Sequence, residues 1–154
     1  MSSRYVVRHP SAVIALVGGV PKTVLGFLAA ALAPFRVIAW GVSFDGIVAT
    51  NAPVDVEFMS WDGTTGTGTE TDASFQVGGA ARGLQGVASF DFSVEPTNVD
   101  RMKPYLVRPD GGLVIVQEPL GREMEQFRSA NGIVMRCNAA VSVNIAPWFE
   151  IEEG

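Results

Sequence analysis

The sequence predicts an all-β protein, an antiparallel two-sheet sandwich or jelly roll with an extended N-terminal arm. Three observations carry that expectation. From Val37 onward, short segments alternate apolar and polar residues with a period of two. Turn-forming residues separate them, and no segment sustains the 3.6-residue period of a helix. At 154 residues the chain suits a single domain with one core. The expected division is an arm over residues 1–10 and a sandwich over 11–154, the latter interrupted by a long Gly/Thr-rich loop at 62–86.

Taken in order, the first apolar stretch runs from Ala12 to Phe35, a length that a membrane span would need. Pro21-Lys22 breaks it near its centre and Gly18-Gly19 weakens any helix there. Two buried strands, 12–17 and 23–28, are therefore the preferred reading. Ile38, Trp40, Val42 and Phe44 then fall on one face of a strand with the small Ala39, Gly41 and Ser43 on the other, and Asp45-Gly46 stops it. Val54, Val56 and Phe58 alternate with Asp55 and Glu57. Ala88, Phe90, Phe92 and Val94 alternate with Ser89, Asp91, Ser93 and Glu95 until Pro96.

Farther along, 105–108 and 113–117 are expected to pair as a hairpin through Pro109-Asp110-Gly111-Gly112, where Pro presets one dihedral and Gly supplies positive φ. Ile133, Met135 and Cys137 share one face. So do Val141, Val143, Ile145, Phe149 and Ile151, opposite Ser142, Asn144, Glu150 and Glu152. The segment 62–86 holds seven Gly and five Thr in 25 residues and reads as a mobile loop, either plainly flexible or ordered on contact. It lacks the Gly-Lys-Ser/Thr ending of a phosphate-binding loop.

Charged residues make up 18% of the chain, below the roughly 25% usual in soluble domains, which suggests either that a partner covers part of the surface or simply that the chain is β-rich. Net charge is −5, unevenly placed. Arg4, Arg8, Lys22 and Arg36 precede Asp45 with no acid among them, leaving seven basic against sixteen acidic residues beyond. A basic arm that meets an acidic surface is one reading of this asymmetry; a few solvated charges on an ordinary terminus is the other.

The sequence assembles no catalytic constellation. The single His9 precedes Pro10, the single Cys137 forms no internal disulfide or thiol cluster, and neither HExxH nor GxGxxG is present. No metal, cofactor, membrane or nucleic-acid partner is expected, since basic residues are too sparse for a nucleic-acid face. Glu123 and Glu125 are conceivable as an acid and base pair, against the plainer reading of a solvated edge. Of the tryptophans, Trp40 is expected in the core, while Trp61 and Trp148 are contact candidates.

Several short pieces in order, Lys22-Thr-Val-Leu25, Arg36 to Gly46, Pro53 to Glu57, Tyr105 to Gly112, Gln117 to Arg122 and Ala140 to Glu153, resemble a family of tailed-bacteriophage capsid decoration, or cement, proteins. The likeness runs from about Lys22 to the end. It departs from the family pattern at 122–131, where a Gly-rich stretch would be expected. The resemblance implies a jelly-roll virion protein on the outer surface of the capsid, a homotrimer partnered with the major capsid protein. On that reading Arg4, Tyr5, Val6, Val7 and Arg8 would dock on the shell by strand addition, with Trp61 and Trp148 as further contacts. A minor tail or head-fibre component is the structural alternative, and a carbohydrate-binding module using Trp148 or Trp61 is the alternative from another class.

Overall fold

The computed structural model describes residues 3–8, 13–45, 51–70, 75–77 and 85–154. Two antiparallel sheets pack face to face. The first is ordered β10 (Leu113–Gln117), β4 (Phe35–Phe44), β13 (Val143–Glu153), β1 (Ser3–Arg8) and β7 (Phe75–Val77), with β11 (Met124–Gln126) also on β4 and β2 (Ile14–Leu16) on β13. The second is ordered β6 (Thr67–Glu70), β8 (Val87–Val94), β3 (Lys22–Leu28), β12 (Gly132–Ala139), β5 (Val54–Trp61) and β9 (Val99–Val107).

The period-two alternation explains the layering. Val37, Trp40, Val42, Ile145, Phe149 and Ile151 of the first sheet, and Phe27, Phe58, Ile133 and Met135 of the second, point inward into one fully buried core. Its aromatics meet edge to face: Trp40 and Phe58 have centroids 5.4 Å apart, Phe27 and Phe35 4.7 Å. Cys137 is in this core, where burial pushes its thiol well above the ordinary range. Pro147 sits in the middle of β13 where its neighbour changes from β2 to β1, an interruption of the ladder that suits a residue without an N–H.

Four expectations are corrected. The arm expected at residues 1–10 is, over Ser3–Arg8, a strand of the body: β1 pairs β13 through six rungs from Ser3↔Glu153 to Arg8↔Trp148. Tyr5 and Val7 are 3% and 0% exposed, so the alternation read as a docking surface is satisfied by the chain's own core. The remainder of the arm lies outside the described residues.

The hairpin expected across Pro109-Asp110-Gly111-Gly112 is a corner instead. Pro109–Gly111 form a single 3₁₀ turn that carries the chain from β9 in one sheet to β10 in the other. Both strands have a core-facing side, and each completes a different sheet by pairing β5 and β4 respectively.

The alternation in β4 and β8 is broken by bulges. The β4–β13 register slips between Glu150 and Ile151, so Phe35 and Val37 point inward on one side of Ile38 and Trp40 and Val42 on the other. In β8, Asp91 takes a left-handed conformation (φ 48°), the β6–β8 register shifts, and Phe92 turns to the outer face away from Ala88 and Phe90.

Finally, parts of the 62–86 loop are ordered. Asp62 caps an Asx turn by accepting the Thr64 N–H (3.0 Å) and hydroxyl (2.9 Å), and β6 and β7 lie within the segment. Those hydrogen bonds, the Thr64 amide first, hold the Asp62 carboxyl below its ordinary pKa. Residues 71–74 and 78–84 lie outside the described residues.

Candidate protein interface

Three of the four early basic residues stand beside acids of the folded body. Arg4 stands directly across from Glu152. Arg36 donates to Glu152 at 2.6 Å and approaches Glu123 at 3.5 Å. Lys22 pairs with Asp91 at 2.8 Å and donates to the Phe92 carbonyl at 3.2 Å. Arg8 faces Trp148 across the β1–β13 ladder. The acidic surface that the charge asymmetry calls for is, for Arg4, Lys22 and Arg36, the chain's own.

Glu123 and Glu125 flank the buried Met124 of β11 and surround Arg36, together with Glu152. Backbone hydrogen bonds, and to a lesser degree Arg36, hold the Glu123 carboxyl below its ordinary pKa. A general acid near neutral pH needs the opposite shift. Beside this cluster, Pro34, Phe35 and Phe127 line a cleft of about 260 Å³.

A second buried ionic group closes the corner of the sandwich. Glu118, 6% exposed, accepts the Tyr105 hydroxyl at 3.1 Å and pairs with Lys103, whose ammonium also donates to the Arg122 carbonyl at 2.8 Å. On the opposite side Glu95 accepts the Thr23 N–H (2.7 Å) and hydroxyl (2.5 Å) and pairs with Arg136. Each of these carboxylates ties two or three strands together. Among the described residues no group of three or more His, Cys, Asp or Glu is placed to hold a metal ion.

Trp61 is removed from the contact candidates. It is 6% exposed, packs edge to face on Phe92 with centroids 5.7 Å apart, and donates its indole N–H to the Thr65 carbonyl at 2.7 Å. With Met59 and Val134 these side chains make a satellite cluster on the outer face of the second sheet, which secures the 62–66 turn.

Trp148 is different. It lies half-buried on the outer face of the first sheet, across Gly41, with Arg8 on its other side. Next to it runs a row of small residues on β4, Ala39, Gly41 and Ser43. Beyond that row stand Leu113 and Ile115 of β10, 57% and 60% exposed, opposite Ser43 and Gly41. The result is a broad, shallow, mainly apolar field, with Arg8 and Glu150 on its β1 side. Val6 continues it on β1, opposite Glu150.

Leu113 and Ile115 were not singled out by sequence reasoning. The signal was the alternation of β10 itself, whose inward Val114 and Val116 leave Leu113 and Ile115 with no core to enter. Small residues opposite Trp40 were legible as a face, but not as the floor beneath Trp148. No family model, curated protein or solved structure matches this chain.

Proposed function

We propose that this protein is a bacteriophage capsid decoration protein that binds the outside of the head and bridges neighbouring major capsid subunits. The observation that carries the reading is the outer face of the first sheet. Leu113, Ile115 and half-buried Trp148, whose indole lies over Gly41 between Ala39 and Ser43, make a flat surface. A flat apolar field suits docking on an extended protein surface, where modest contacts add over many copies. The motif resemblance set out above points the same way. The body contributes rigidity through its single core and strand-linking ion pairs, and β1 forms part of that body while the contact surface lies on the sheet face. Assembly as a trimer on the shell remains part of this proposal.

Quantitative mass spectrometry of purified particles, together with rebinding of the purified chain to shells stripped of it, tests the reading. Copies in the hundreds, and loss of rebinding in Trp148→Asp, are the expected results. A handful of copies per particle assigns the chain to the tail or a fibre, and absence from particles overturns a virion role. Glycan-dependent quenching of Trp148 fluorescence would instead support carbohydrate binding.

A further inference from the structure

We infer that β10 is a self-pairing edge: two copies of this chain associate antiparallel through Leu113–Gln117, centred on Ile115, joining their first sheets into one. Among the described residues β10 has a single neighbour, β4, and so presents one unpaired row of backbone groups. The other edges are guarded. The edge strand of the second sheet, β9, carries Arg101, Lys103 and Pro104 and a register break opposite Phe58 and Met59. At the opposite edges β6 and β7 are four and three residues long, and β6 has its own register break. Charge, proline, irregularity and brevity are the devices that keep edges from pairing, and β10 has none of the first three.

What pairs with β10 follows from its composition. Leu-Val-Ile-Val-Gln holds no charge, and a two-fold axis at Ile115 sets Ile115 opposite its counterpart, Val114 opposite Val116 and Leu113 opposite Gln117. Every cross-strand pair is apolar or neutral, and β-branched residues fill most of them. A second copy is therefore self-complementary, as an isologous contact must be. Leu120, 91% exposed just beyond β10, extends the apolar contact past the strand itself. The pairing is small beside the roughly 1,200 Å² of a standard stable interface, so the association is concentration-dependent. It does not rest on the decoration role and is read on the purified chain without shells.

Sedimentation velocity of the full chain up to about 0.5 mM gives the test. The wild type is expected to shift from monomer to dimer. Ile115→Lys brings two ammonium groups together at the axis and weakens the dimer at least about tenfold, as does Ile115→Glu with two carboxylates. Position 115 is 60% exposed, so both variants keep the fold, which circular dichroism checks. Mixing the two variants restores a heterodimer because Lys then faces Glu. A wild type that stays monomeric, a dimer indifferent to either substitution, or a mixture no tighter than its components overturns the inference.

Discussion

Trp148 occupies the space that a side chain at Gly41 would require: a Cβ built at 41 would lie 2.5 Å from the indole Nε1 and Cε2. Gly41 and Trp148 are cross-strand neighbours on β4 and β13, on the face opposite Trp40 and Phe149. The glycine is thus a recess for the indole, and its absent side chain sets how flat the outer face is. Gly41→Ala is expected to displace Trp148 and cost about 1–3 kcal/mol in urea denaturation, as overpacking does. In a Trp148→Ala background the same substitution should cost much less, since the Cβ then has room. Additive costs in this double-mutant cycle would show that the two residues do not share that space.

Ser3–Arg8 supplies a strand to the sheet, so trimming it acts on the fold. Tyr5→Ala should cost about 3 kcal/mol, in the range for burying and then losing an aromatic side chain. Deleting residues 1–9 should lower the melting temperature sharply and expose the β13 edge, seen as aggregation on heating. A truncated chain that melts with the full one would mean that β1 adds nothing to the body.

The contrast between residues 37–44 and 87–94 shows what was legible in the sequence and what was not. Alternation identified both as half-buried strands, because side chains on a pleated strand must alternate between core and solvent. It could not place a bulge, which arises from pairing with a strand distant in sequence: Ile38 is fixed by β13, and Asp91 by β6. The same limit applies to β1. Its alternating Tyr5 and Val7 announced a strand, but an edge-seeking strand and an integral one share the same pattern until the partner is known. For Trp148 the polarity of strand faces was the guide. Trp61 had no such guide, and it is buried because the outer face of the second sheet carries its own apolar cluster around Phe92.

Asp91 has a positive φ that an ordinary side chain adopts at a cost. Asp tolerates that region better than most residues, and here its carboxylate also holds Lys22. Asp91→Ala should lose about 1–2 kcal/mol through the left-handed backbone, whereas Asp91→Gly should lose less despite lacking the same ion pair. Equal losses in chemical denaturation would place the whole effect in the ion pair and none in the backbone.

Tyr105 packs on Trp40 with ring centroids 4.6 Å apart and gives its hydroxyl proton to Glu118. Burial, and then the Glu118 charge, disfavour the phenolate and raise the pKa above its ordinary value of about 10. The folded chain therefore keeps a proton that the unfolded chain releases. The resulting stabilisation is fully present below the unfolded pKa and is lost as pH rises toward and through the folded one. Tyr105→Phe keeps the ring against Trp40 but removes both the titration and the hydrogen bond, costing about 1 kcal/mol at neutral pH. Above about pH 10 the wild type should lose stability more steeply than the variant, so that urea midpoints recorded from pH 8 to about 11 converge. Midpoints that fall in parallel would show that Tyr105 titrates in the folded protein as it does in the unfolded chain, and that Glu118 exerts no hold on its proton.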